Sequence, residues 1–309
     1  VEAAASTGGQ IMPPIMGVAA FILAEFVGVP YIKVCAAAAL PAVMYFFAIL
    51  MMVDFEAART GLVGLPKEEL PNVREILKQG WHLLFPLVLV LILLVKGYTP
   101  HFTAFWCIVA TFFVTLVRKE TRMTPQKIFK ALASGATGAV IIATSCAIAG
   151  IIIGVVSLTG LGVKFTSMVL SFAGGRLPVA LFLTMIASLV LGMGVPTTAA
   201  YVMVAALAVP AIVQMGVNRL AAHLFAFYFA CISTITPPVA TSAYAAAGIA
   251  KSDPMETGFL ASKLGATAFI VPYMFVYGPE LLLVGEPMAV LRVVITSLIG
   301  VVALAAGLQ

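Results

Sequence analysis

Residues 220–250 form an apolar run long enough to cross a bilayer, yet its middle reads Ser233-Thr234-Ile235-Thr236-Pro237-Pro238. A continuous helix cannot carry that stretch. Proline has no amide to donate and its ring collides with the preceding turn, which costs about 3 kcal/mol or more in a helix interior. In hydrocarbon, each backbone group left without a partner adds several kcal/mol. Such a break is tolerated at membrane depth only where protein covers it or a polar cavity meets it. The run therefore predicts a discontinuous helix whose bared carbonyls and hydroxyls form half of a binding site.

The chain has 309 residues, 62% of them hydrophobic and 9% charged, a balance that excludes a soluble domain of this size. Several windows exceed the roughly 18 apolar residues of a membrane span, and their long unalternating runs exclude a β-barrel. The fold class is an all-α polytopic membrane protein, with the lipid bilayer as its first partner. The basic residues behind the net charge of +5 cluster in two loops, 54–80 and 118–130. This clustering marks topology and gives no reason to expect a nucleic-acid partner. Cys35, Cys107, Cys146 and Cys231 lie scattered in apolar segments without metal-ligand spacing, so they read as small buried hydrophobes. His82, His101 and His223 are isolated and read as interfacial or packing residues. Val1-Glu2-Ala3-Ala4-Ala5 reads as the inside of a helix, so the expectation is a C-terminal fragment of a longer protein.

In chain order, residues 1–53 hold a broken helix, interrupted at 6–14 and ended near Gly28-Val29-Pro30, and then a span from Tyr31. Residues 54–131 hold two polar loops around a hairpin of plain scaffold spans, 81–96 and 101–117. Thr124 and Pro125 have the residue types of an N-cap and first helical position. Residues 132–286 open with a Gly-, Ala- and Ser-rich span, 132–158, whose small side chains place it against the moving or binding part. A short helix follows at 163–172. A hairpin, 176–213, then turns at Gly192-Met193-Gly194-Val195-Pro196-Thr197-Thr198. Its arms of about 17 residues reach ~26 Å at 1.5 Å per residue, which favours a re-entrant hairpin. The broken helix 220–250 and a span at 255–278 come next, and 287–309 is the C-terminal span.

Pro13-Pro14 and Pro237-Pro238 are separated by 224 residues, each pair follows a Ser-Thr, and each meets a further proline 16 residues on, at Pro30 and Pro254. With 118–130 inside, the two copies point in opposite directions. Arg59, Lys67, Arg74, Lys78, Arg118, Lys119, Arg122, Lys127, Lys130 and Lys251 then fall in the cytoplasm, and Lys33, Lys96, Lys164, Arg176 and Arg219 outside, in agreement with the positive-inside rule. Inverted repeats with discontinuous helices at matching positions mark secondary transporters.

Three stretches carry a family resemblance: Ala3-Ala4-Ala5-Ser6-Thr7-Gly8-Gly9-Gln10-Ile11-Met12-Pro13-Pro14, Leu191-Gly192-Met193-Gly194-Val195-Pro196-Thr197-Thr198-Ala199-Ala200-Tyr201, and Ile235-Thr236-Pro237-Pro238-Val239-Ala240. Together they resemble the large permease subunit of tripartite ATP-independent periplasmic (TRAP) transporters, DctM-like, and most nearly the fused permease of the TAXI branch. The resemblance implies a sodium-driven importer of small organic anions in a bacterial or archaeal inner membrane, moving as an elevator. Its substrate would come from an extracytoplasmic TAXI-type solute-binding protein. It also implies a first hairpin ahead of Val1. On this resemblance the coupling ion would be Na⁺, with no other cofactor expected. One sodium site would use Gly192, Gly194, Thr197 and Thr198 of the hairpin tip with Ser233, Thr234, Ile235 and Thr236. The other would use Ser6, Thr7, Gly9 and Met12.

Sodium takes hard oxygen ligands, which broken helices supply as carbonyls and hydroxyls, and glycine lets the backbone itself approach. Millimolar ion affinity is worth only about −4 kcal/mol. That does not offset two prolines, so tip and break must also cover one another. The helix restarts, at Thr197 and Thr198 and after Pro238, offer amides and partial positive charge to an anion. Lys263, a charge within the span 255–278, is a candidate for substrate contact or for a structural carbonyl partner. Three other classes stay open: a proton-coupled or exchanging carrier, disfavoured by the lack of Asp or Glu in either break; an intramembrane enzyme, disfavoured because His223 is ~15 Å along the helix from Ser233; and a scaffold without cargo.

Overall fold

The computed structural model describes residues 1–64, 66, 70–118 and 121–308, with the side chains of Gln79 and Ile141 outside the description. Lys67, Lys119 and Glu120 of the two charged loops thus lie outside the described residues. Among those residues the chain is helical and has no strand. Four helices are long and apolar enough to cross a membrane: Tyr31–Thr60, Pro125–Thr159, Pro254–Tyr277 (which contains one interruption) and Pro287–Leu308.

The first discontinuous helix consists of α1 (Glu2–Gly8) and α2 (Val18–Val27), followed by the long α3 (Tyr31–Thr60). α3 keeps Pro41 in its interior and runs past residue 53 into the segment expected to be a polar loop. Ala57 and Ala58 favour helix, Glu56 pairs with Arg59 at 2.7 Å one turn away, and Gly61 ends it at φ +69°. A surface helix, α4 (Val73–Gly80), begins on an Asn72 side chain that accepts from the Arg74 amide. After a 3₁₀ turn at Trp81–Leu84, α5 (Phe85–Val95) and α6 (Pro100–Thr115) pair as a hairpin. α7 (Pro125–Thr159) starts where the Thr124 hydroxyl accepts from the Lys127 amide.

α8 (Leu161–Ala173), α9 (Leu177–Gly192), α10 (Thr197–Leu207) and α11 (Val209–Gln214) precede α12 (Arg219–Ile232). From Ala221 to Ile232 every residue of α12 is buried, as expected of a helix that is apolar on all sides. α2, α9, α10 and α15 (Thr267–Tyr277) surround it. Aromatic side chains fill the joints: Phe225 meets Phe229 and Tyr273 edge-on at centroid distances of 4.8 and 5.2 Å, and Tyr228 meets Phe275 at 5.7 Å. α13 (Thr241–Ala250), α14 (Pro254–Leu264) and α16 (Pro287–Leu308) complete the chain, and α16 lies along α3.

Three expectations change. The segment 255–278 is not one rod, because α14 ends before Gly265 and α15 begins at Thr267. A Cβ on Gly265 would lie 2.8 Å from Ile235 Cδ1, so glycine there admits the break of the other helix. The second hairpin arm is also divided at Ala208, because Pro210 cannot donate to the preceding turn. The glycines of α7 are not at a close helix contact: a Cβ at Gly135, Gly138, Gly150 or Gly154 would meet nothing within 4 Å. α7 packs on α10 and α8, but that packing does not require its glycines.

Gly8 is the opposite case, since a Cβ there would stand 2.6 Å from Tyr45 Cε1 and 2.7 Å from Phe46 Cζ. Gly8→Ala is expected to destabilise the fold by about 1–3 kcal/mol, read as a lower melting temperature in detergent. Gly150→Ala should be neutral or stabilising by up to ~1 kcal/mol through helix propensity. Equal melting temperatures for Gly8→Ala and the parent would show that the two rings give way.

Candidate functional site

α12 ends inside the protein, and a 3₁₀ turn at Ser233–Ile235 carries the chain to Thr236, whose backbone is extended at φ −99°, ψ 120°. The Pro237–Pro238 peptide is cis, and α13 starts at Thr241. The hydroxyls of this stretch turn back on their own helix. Ser233 Oγ donates to Ala230 O at 2.8 Å, Thr234 Oγ1 to Cys231 O at 2.8 Å and Thr236 Oγ1 to Ile232 O at 2.8 Å. A hydroxyl has one proton and two lone pairs. With the proton committed to the helix, each oxygen keeps acceptor capacity for a cation.

Ser233 also joins the break to the hairpin tip, its one proton shared between Ala230 O and Gly192 O, the latter at 3.2 Å. A Cβ on Gly192 would lie 2.8 Å from Ser233 Cβ, which glycine avoids. Gly194 turns the tip at φ +72°, and a Cβ there would be 3.5 Å from Val239 Cγ1, just beyond the proline pair. The tip and the break thus cover one another. Neither α10, which follows Pro196, nor α13, which follows Ala240, has a side-chain cap. The first amides of α10 are therefore available to an acceptor other than a capping side chain, whereas the first amide of α13, that of Thr241, donates to Val239 O at 3.0 Å. α14 closes the far side: Ser262 Oγ donates to Ile235 O at 2.8 Å, and Gly258 lets Pro237 approach to 3.2 Å from a Cβ position.

The other break is built in a similar way. Thr7 Oγ1 donates to Ala3 O at 2.8 Å and Ser6 Oγ to the same oxygen at 3.3 Å. Gln10 O accepts from the Gly17 amide at 2.7 Å and Met12 O from Met16 at 3.2 Å, around a cis Pro13–Pro14 peptide. Tyr45 OH of α3 donates to Ala4 O at 2.6 Å. Tyr31 OH lies 3.0 Å from Pro14 O and 2.7 Å from Ile15 O. The two breaks are neighbours: the Cys231 thiol lies 3.9 Å from Gln10 Oε1. α1 packs on α13 while α2 packs on α12.

The structure therefore brings Gly192 and Ser233 together, with Gly194 beside the proline pair and Thr197 and Thr198 starting the uncapped α10. Ser6, Thr7, Gly9 and Met12 form the neighbouring break. Lys263 occupies the last turn of α14, one residue beyond Ser262. Sequence reasoning missed Tyr31, Tyr45, Tyr244 and Ser262. Each brings a hydroxyl to a carbonyl in a broken helix, Tyr244 OH to Pro238 O at 2.6 Å. The available signal was a tyrosine in an apolar run, whose hydroxyl needs a partner when buried.

The model of the family described as tripartite ATP-independent periplasmic transporter, DctM component, matches residues 1–288. The chain belongs to this family. No curated protein matches it. As a DctM permease it is a multi-pass membrane component of a TRAP secondary transporter, a system that depends on a periplasmic solute-binding protein. The match spans both proline breaks, the hairpin tip and the scaffold pair, and stops at the start of α16.

Tyr45→Phe removes the donor to Ala4 O and should cost about 1 kcal/mol. The effect should be concentrated in α1 and the following turn, seen as faster amide exchange at residues 4–12 in the detergent-solubilised DctM permease. Exchange that rises evenly over all helices would assign Tyr45 to general packing.

Proposed function

We propose that this permease couples a sodium gradient to the import of small organic anions, carboxylates above all, received from an extracytoplasmic solute-binding protein of the TAXI type in a bacterial or archaeal inner membrane. The observation that carries the proposal is the Ser233 hydroxyl joining Gly192 O at the tip to a break whose Thr234 and Thr236 protons are already committed. That set offers hard oxygen acceptors with no carboxylate, which suits a monovalent cation. Gly192, Gly194, Thr197, Thr198, Ser233, Thr234, Ile235 and Thr236 would hold one ion. Ser6, Thr7, Gly9 and Met12 would contribute to a second. Thr197, Thr198 and the turn after Pro238 would receive the anion on the uncapped amides of α10 and α13.

The pairing of α1 with α13 and of α2 with α12 supports reading the two broken rods as oppositely directed copies, with 176–213 as a re-entrant hairpin. Elevator movement of that body against the α5–α6 scaffold fits this arrangement. A proton-coupled carrier is the alternative, and the carboxylate-free composition of both breaks favours sodium.

The test is uptake of labelled carboxylate into proteoliposomes holding the full-length permease, with its binding protein outside. Uptake should follow an inward sodium gradient and ignore a pH gradient. Thr236→Val keeps shape and removes one ligand oxygen, and should raise the sodium concentration for half-maximal uptake by about tenfold. Uptake driven by pH alone, or a Thr198→Val/Thr236→Val double variant with unchanged sodium dependence, would overturn the proposal.

A further inference from the structure

α6 and α7 diverge from the loop that joins them. α6 packs on α5 and the Trp81–Leu84 turn, whereas α7 packs on α8 and α10. Between them lies a groove of ≈ 610 Å³, with Ile108 and Phe112 on one wall and Ile128, Ala131, Gly135 and Ala139 on the other. The surface is almost wholly apolar, since the Thr111 hydroxyl is committed to Cys107 O at 2.7 Å. A wedge of this kind in a bilayer has to be filled, because its walls otherwise lose their dispersion contacts on one side.

The mouth of the groove tells what fills it. Met123 and Ile128 line that end, and their chain neighbours Arg122 and Lys127 are exposed. Lys127 stands four residues before Ala131, on the helical line that continues through Gly135 and Ala139. Among the described residues no carboxylate pairs with Arg122 or Lys127. Arg122 Nε donates to Leu116 O at 3.5 Å, a neutral partner that leaves its charge unbalanced, and Arg118 is tied to Lys78 O. A plain apolar helix supplies no countercharge.

We propose that the groove holds one anionic diacyl phospholipid, with a hydrocarbon chain between α6 and α7 and the phosphate between Arg122 and Lys127. The lipid bridges the α5–α6 hairpin and the body that contains α7, so it lines the seam between them. Basic side chains at a gap between membrane helices are the recognised setting for such headgroups. This inference rests on the membrane setting and not on the sodium reading.

Native mass spectrometry of the detergent-purified permease, titrated with phosphatidylglycerol or phosphatidylcholine of the same acyl chains, tests it. The parent should retain one phosphatidylglycerol in clear preference to phosphatidylcholine. Arg122→Gln/Lys127→Gln should weaken that retention roughly 25-fold, while Lys127→Arg keeps it. Lys130→Gln, on another face of α7, should leave it unchanged. Gly135→Leu, which fills the groove, should reduce retention of both lipids. Equal retention of the two lipids, equal loss in Lys130→Gln, or no effect of Gly135→Leu would overturn the proposal. A dimer mass lost on Gly135→Leu would assign the groove to a second copy instead, again overturning it.

Discussion

The structure depends on one constraint: a backbone broken inside an apolar body must find hydrogen-bond partners that its own helix no longer supplies. Both proline pairs create this demand, and hydroxyls from neighbouring elements meet part of it. Tyr45 reaches Ala4 O, Tyr31 reaches Pro14 O and Ile15 O, Ser262 reaches Ile235 O, and Tyr244 reaches Pro238 O. Helices α3, α13 and α14 lie where they do partly because they carry these donors. The aromatic packing around α12 then holds the broken end deep in the protein, away from competing partners in solvent or lipid.

What the sequence made legible follows from the strength of each signal. Pro13-Pro14 and Pro237-Pro238 forbid a continuous helix on local grounds, so both interruptions could be read without tertiary information. Thr124-Pro125 likewise has the composition of a helix start, and α7 begins there. The split at Gly265 could not be read, because glycine is tolerated within helices and its reason lies in Ile235, thirty positions earlier. Pro210 was readable in principle but lay within an apolar run whose continuity was given more weight. The glycines of α7 misled in the other direction: small residues permit close approach without requiring it.

For the candidate site, the groups were legible and their partners were not. Ser233 and Gly192 lie in separate motifs 41 residues apart, and only the fold shows one hydroxyl meeting one carbonyl. Lys263 was legible as a charge in an apolar segment, but its place in the last turn of α14, one residue beyond Ser262, came only from the fold.

The crossed arrangement of the two broken rods has a mechanical consequence. The leading half of one lies along the trailing half of the other, α1 on α13 and α12 on α2. Tilting any half about its hinge therefore pushes on a half belonging to the opposite rod. Whatever coupling this scissor-like bracing carries between the two notches must act equally in both directions.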